Sequence, residues 1–300
     1  MEDNELKLMK EVGAASKEAM LMAKGLIKPG ARILDVAEAA EKFLKDKGYG
    51  LAFPINLSIN QQAAHFTPTL NDDSVFPEDA IVKIDFGAEK DGFLGDGAIT
   101  LDISGNNSKM VEAATMALDN AVSMVRAGVE VGKMGGVIED TITKMGFKPI
   151  RNLGGHGVEE HDLHAGIFVP NFDNHDDTVL EEGEVIAIEP FMTDGAGLVG
   201  NGDYVEIFQK NASPQVRSRD AREVSAFIDQ HYLTFPFALR WLQKGMNEEG
   251  DFRIRRGITE LAYSGAIESF PVLVEKRKGM VAQAEKEMVV EKDSCTVVTR

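Results

Sequence analysis

The chain has 300 residues, 43% of them hydrophobic, and a net charge of −17: length enough for one large core or two half-domains, and the wrong sign for tight binding to a phosphate backbone. No apolar run approaches the roughly 18 residues that a membrane span needs, and the acidic start from Met1 to Glu5 is unlike the basic, apolar leader of an exported chain. The single cysteine, Cys295, excludes an intrachain disulfide and a cysteine-rich zinc module and fits a reducing, cytoplasmic setting; its expected role is a small buried strand residue.

In chain order, Asn4 to Lys24 has apolar residues at helical spacing, Pro29-Gly30 breaks the pattern, and Ile33 to Lys47 resumes it before Gly48-Tyr49. Roughly a hundred residues on, the plan recurs: helices over Ser108 to Ala127 and Gly135 to Met145, then Gly146-Phe147. Strand-like runs follow each pair. This predicts an α+β arrangement in which two similar halves meet over a shared cleft. The stretch from Gly200 to Ser264 is charged and reads as largely helical and strand-poor, as in Arg219 to Asp229.

Five residues sit where a lone polar group has no structural reason to be. The run from Ile81 to Thr100 contains two β-rich segments joined by a short polar turn, which reads as a hairpin. With Lys90-Asp91 at the turn centre Asp85 pairs directly with Asp96; with Asp91-Gly92 there, Asp96 lies one diagonal step away. Either register puts both carboxylates on one face, and like charges about 5 Å apart destabilise a sheet unless something positive lies between them. Glu189 ends the apolar run Val185 to Ile188 just before Pro190, His156 stands among glycines, and Glu285 shares a face with Val281 and Gln283. Four carboxylates and one neutral imidazole carry four negative charges, which two divalent ions would balance; an oxygen-rich set with one histidine suits Mn, Fe, Co or Zn, and paired ions clamp and activate a water for hydrolysis.

These runs resemble the methionine aminopeptidases, in particular their type II, archaeal-like branch. Phe53 to Asn60 and Ala64 to Pro68 are similar to the family's first motif, and the Asp85/Asp96 hairpin to its second. Asn152 to His156, Leu163 to Gly166, Ala187 to Phe191 and Val281 to Glu285 complete the set, and Phe235 to Gln243, with Trp241, resembles the family's helical insert.

The resemblance implies the pita-bread (creatinase/aminopeptidase) fold of two pseudo-symmetric halves, with a catalytic domain over 1–199 and 265–300 and a type II helical insert over 200–264. It implies that Asp85 binds one metal, that Asp96 and Glu285 bridge both, and that His156 and Glu189 hold the other, with Glu189 accepting the proton of the attacking water. His65 and His164 match positions that contact substrate, and Phe53, Leu163 and Phe191 match an apolar slot for a methionine thioether. His161, His175 and His231 have no such match and read as solvated or structural. The implied activity is removal of the initiator methionine from nascent polypeptides, with a small second residue preferred, by a cytoplasmic monomer whose contact with the ribosome, if any, is local and transient. Two positions depart from the family: Lys286 stands where His is usual and Gly97 where a hydroxyl or thiol residue is common, which bears on the surroundings of the ligands. An X-Pro hydrolase of the same fold shares the five ligands, but the insert and the first motif argue against it; a non-catalytic relative would lack ligands that are all present here.

Overall fold

The computed structural model describes residues 3–213, 215–246 and 252–299. Helices α1 (Asp3–Leu26) and α2 (Ile33–Asp46) are followed by strands β1 (Gly50–Leu51), β2 (Asn56–Ile59), β3 (Gln62–Ala64), β4 (Ile81–Asp85), β5 (Ala88–Lys90), β6 (Phe93–Gly95) and β7 (Gly97–Asp102). A second helix pair, α3 (Ser108–Val122) and α4 (Val131–Lys144), leads into β8 (Lys148–Pro149), β9 (Gly154–Glu159), β10 (Asp162–Pro170), β11 (Val185–Ile188) and β12 (Phe191–Thr193). Next come β13 (Val199–Lys210), α5 (Arg219–His231), β14 (Phe237–Ala238), α6 (Leu239–Gly245), α7 (Phe252–Tyr263) and β15 (Ile267–Glu275), and the chain closes with β16 (Val281–Gln283), β17 (Glu285–Val290) and β18 (Cys295–Val297).

The main sheet runs β10-β9-β11-β17-β7-β4-β2, with β18 also on β17. Outward from its centre, β17-β11-β9 repeats β7-β4-β2. The registers match as well: Asp85 pairs with Ala98, and the ladder that pairs Ile188 with Lys286 brings Glu189 opposite Glu285. Two three-stranded sheets, β1-β5-β6 and β8-β12-β16, continue these ladders, since Ala88 pairs with Gly95 and Phe191 with Gln283. The central rung pairs Ala98 with Glu285, and a local two-fold through it relates the halves. This is the pita-bread arrangement.

Period-two alternation decides which face does what. Val82 and Ile84 of β4 pack into the core of α1 and α2 with Val36 and Leu44, while Ile186 and Ile188 of β11 and Met288 of β17 pack against α3 and α4 with Leu118 and Ile138. Asp85, Glu189 and Glu285 therefore point to the face away from the helices. The first-half hairpin turns at Asp91 and Gly92, with φ of 54° and 87°, the two positive values of a type I′ turn; of the two registers left open by the sequence, the diagonal one is present.

Three expectations are corrected. Helix α3 ends at Val122 rather than Ala127: Met124 N and Val125 N tighten to the carbonyls three residues back, Ala121 O and Val122 O, and Ala127 N and Gly128 N then donate to the distant Glu291 O and Leu180 O. Helix α4 starts at Val131 rather than Gly135. Gly135 is interior to it because a Cβ there would lie 2.2 Å from Phe172 O, so the glycine marks a close backbone approach and not a helix start. The segment from Gly200 is strand up to Lys210 and helical only from Arg219; its charged alternation belongs to β13, a half-exposed strand. Cys295 is on a strand, as expected, but only half-buried.

Where Asp91-Gly92 joins β5 to β6, the corresponding strands β12 and β16 are joined by the whole segment 194–280. That segment supplies three strands of the sheet β14-β13-β15-β3, whose edge strand β3 comes from the first half, and builds a core of its own from Val224, Ile228, Phe237, Leu242 and Ile258. It is tied to α2 by a buried ion pair of Arg240 with Glu41, and Arg240 Nη1 also donates to Thr67 Oγ1 at 2.7 Å and Trp241 Nε1 to Glu41 Oε2 at 2.9 Å.

Candidate metal centre

The symmetric strand ends converge on one cavity of about 450 Å³. Asp85 is the last residue of β4, Asp96 the single residue between β6 and β7, Glu189 the residue after β11, Glu285 the first of β17, and His156 lies in β9; all five line this cavity. His156 sits close to the centre because its neighbour Gly155 lets β9 approach β11: a Cβ at Gly155 would lie 2.1 Å from Ala187 O.

One ligand atom from each of Asp96, His156 and Glu285 lies within 4.8 Å of the other two, with His156 Nε2 at 3.5 Å from Asp96 Oδ2. His156 Nδ1 is 3.1 Å from Gly157 O. A proton on Nδ1 satisfies that carbonyl and leaves the Nε2 lone pair facing the carboxylates, the tautomer a metal requires. Asp85 and Glu189 are the symmetric pair, and Gln283 Nε2 donates to Glu189 Oε2 at 3.1 Å.

The electrostatics fit cations. Burial, and then the charge of Asp96, raises Asp85 well above the usual carboxylate range. Burial pushes Asp96 up to about 7. Glu189 and Glu285 rise for the same reasons, burial first and the neighbouring carboxylates next. Burial also lowers His156, so its imidazole is neutral. Asp96 Oδ1 is buried with no hydrogen-bond partner among the described residues. A pocket of mutually repelling, desolvated carboxylates with an orphaned oxygen and a neutral imidazole is unfavourable alone and is relieved by divalent ions. The residues present fit such a group.

His65 and His164 line the same cavity, as do Phe53, Leu163 and Phe191. His65 has a φ of 67°, a conformation held by its N–H donating to Asn56 Oδ1 at 2.6 Å, and its Nδ1 is 3.3 Å from Pro271 O. The His164 ring meets His156 edge-on at 4.5 Å and its other side opens to the cavity. Burial takes His65 down to about 4; His164, which is exposed at the cavity wall, is taken down to about 4 by desolvation on its packed side and then by the His156 ring beside it, so each is a neutral hydrogen-bonding group. His161 and His175 are exposed, and His231 ends α5 against Phe227. Of the two departures, Lys286 alternates away from the centre and pairs with Asp119 of α3 at 2.7 Å; Gly97 lies where a Cβ would come 3.1 Å from Met20 Cε.

Sequence reasoning missed Asn56, which fixes His65, and Glu287, whose Oε2 accepts from Asp96 N at 2.6 Å. Glu287 had a signal: Gln283, Glu285 and Glu287 recur with period two in an otherwise apolar run.

Residues 7–225 match the family model "Metallopeptidase family M24". The chain is 44% identical to a methionine aminopeptidase of Pyrococcus horikoshii, covering 96% of this chain and 97% of that protein, and 42% identical to one of Archaeoglobus fulgidus over the full length of both. Among solved structures, a thermophilic Arx1 superposes with a TM-score of 0.88 at 16% identity, covering 99% of this chain and 91% of that one. A prolidase of Pyrococcus furiosus superposes with a TM-score of 0.63 at 16% identity, covering 100% of this chain and 64% of that one; at such identities the likeness is one of fold alone. With a family match over most of its length and archaeal relatives aligned from end to end, the chain belongs to metallopeptidase family M24, among the archaeal-type methionine aminopeptidases.

Proposed function

We propose that this chain releases the initiator methionine from nascent polypeptides and peptides with a small second residue, using two divalent ions drawn from Co, Mn, Fe or Zn. Asp85, Asp96, His156, Glu189 and Glu285 are the residues that would hold them. The observation that carries the reading is the convergence of these five groups on one cavity, where Asp96 Oδ1 has no hydrogen-bond partner among the described residues. Bound ions supply Lewis-acid polarisation of the scissile carbonyl and lower the pKa of a water.

The rest falls to side chains. Glu189 takes the proton of the attacking water, held in place by Gln283. His164, neutral at the cavity wall, donates a hydrogen bond to the developing oxyanion, while His65, whose Nδ1 proton faces Pro271 O, accepts the scissile amide N–H through Nε2. Phe53, Leu163 and Phe191 make the apolar slot for the methionine side chain. The segment 200–264 is assigned to a subdomain that narrows the cleft, since Ile207 and Pro236 stand in the cavity wall. Its arginines Arg219, Arg253 and Arg256 gather around Asp220 and Glu223, and any transient ribosome contact of this cytoplasmic monomer is assigned to that face.

The test is cleavage of Met-Ala-Ser by protein stripped of metal and verified as such. Stripped protein is expected to be inactive, Co or Mn to restore turnover, and N-acetyl-Met-Ala-Ser to remain intact because its amine is blocked. Release of residues from X-Pro peptides with Met-Ala-Ser untouched would replace this reading with the X-Pro hydrolase.

A further inference from the structure

We propose that Glu287 is a positioning residue of the metal centre, whose side chain takes the Asp96 backbone N–H in place of a β17 carbonyl and so sets where the Asp96 carboxylate points. The proposal rests on the reading of Asp96 as a metal ligand. Phe86 N donates to Gly97 O at 3.0 Å, so at the next rung of the hairpin Gly87 and Asp96 turn their backbone groups outward: Gly87 O accepts from Ala52 N at 3.0 Å, and Asp96 N, set opposite Glu287 by the register of β7 with β17, donates to the side-chain Glu287 Oε2 at 2.6 Å. At this rung the hairpin divides between two sheets, and Asp96 reaches towards His156 Nε2.

Glu287 is itself immobilised. It is 0% exposed, its N–H donates to Thr299 Oγ1 at 2.8 Å, and its carbonyl accepts from Val298 N at 2.9 Å. Its Oε1 is buried with no hydrogen-bond partner among the described residues. A group left that way is destabilising and calls for an explanation.

The local two-fold through the Ala98 and Glu285 rung relates Asp96 to Gln283 and Glu287 to Thr100. Thr100 makes the equivalent contact: its Oγ1 accepts from Gln283 N at 2.9 Å and donates to Gln283 O at 2.6 Å. In both halves a side chain of one central strand grips the backbone at the break in the opposite hairpin. The half that carries the ligand uses a carboxylate, which is the stronger acceptor for an N–H.

The test is calorimetric titration of Mn²⁺ into the chelator-stripped full chain. Glu287→Met and Glu287→Val remove the acceptor and are expected to weaken Mn²⁺ binding by about 10- to 100-fold. Glu287→Gln and Glu287→Thr each keep an acceptor, the second in the form the symmetric site uses, and are expected to rescue affinity to within about threefold of wild type. Wild-type affinity in the Met and Val variants overturns the proposal. Equal losses in all four also overturn it, because charge and not the contact would then be what matters. Val is isosteric with Thr, so the Thr and Val pair decides if Glu287→Met fails to fold. Asp96→Asn is measured alongside: wild-type affinity there overturns the underlying assignment of Asp96, whereas a loss there with none in Glu287→Met and Glu287→Val overturns only the role of Glu287.

Discussion

In the first half of the molecule β4 ends on Asp85 and β7 is preceded by Asp96; in the second, β11 is followed by Glu189 and β17 opens on Glu285. The two-fold relation makes Asp85 and Glu189 true mates, but it places Gln283 where the first half has Asp96, and Ala98 where the second half has Glu285. Likewise Ser58, opposite Lys83 in the first half, corresponds to His156, opposite Ala187 in the second. The duplicated scaffold delivers one matched carboxylate pair to the cleft, and the other three groups of the candidate site, Asp96, Glu285 and His156, stand where the two copies differ. The loop ends diverge most: a two-residue turn in one half, the segment 194–280 in the other.

The sharpest way to separate the mates is to neutralise each. Glu189→Gln keeps size and a ligating oxygen but removes the base, so kcat at saturating metal is expected to fall by about 10²- to 10⁴-fold. Asp85→Asn should act through metal loss and recover as metal is added. Equal and unrecoverable losses in both would mean that the matched carboxylates share one role.

Next in size is the bond between insert and scaffold. Arg240→Ala leaves Glu41 buried without its ionic partner, and is expected to cost about 3–5 kcal/mol in denaturant unfolding. A loss under about 1 kcal/mol would show that the insert stands apart from α2 energetically.

The carboxylates also predict an inverted pH dependence for stripped protein. Folding raises Asp96 from 3.8 to about 7, so between those values the folded state binds more protons than the unfolded one, and stability is lost as pH rises through 7. Chelator-treated protein should therefore have a higher Tm at about pH 5 than at about pH 8, with metal abolishing the difference. A stripped protein that is more stable at the higher pH would count against a cluster of crowded carboxylates.

The smallest effect belongs to the first half's turn. Gly92→Ala places a side chain at a φ of 87° and is expected to cost about 1 kcal/mol, seen as a Tm shift of a few degrees with turnover unchanged.

By itself the sequence determined much of this. The helix pairs ending at Gly48 and Gly146, the hairpin from Ile81 to Thr100 up to its register, and the lone polar residues Asp85, Asp96, His156, Glu189 and Glu285 are local signals, because periodicity and turn chemistry act over a few residues. Only the tertiary structure decided the remainder. The stretch after Val122 leaves the helical path to meet distant carbonyls at Ala127 and Gly128, and Gly135 is a glycine inside α4 since another segment comes within reach of any Cβ there. Asn56 and Glu287 owe their roles to single atoms brought in from His65 and Asp96, 9 and 191 positions away. Nor can a sequence show that the 194–280 segment stands in for a two-residue turn: that follows from strand pairing, and pairing is set by burial summed over the whole sheet.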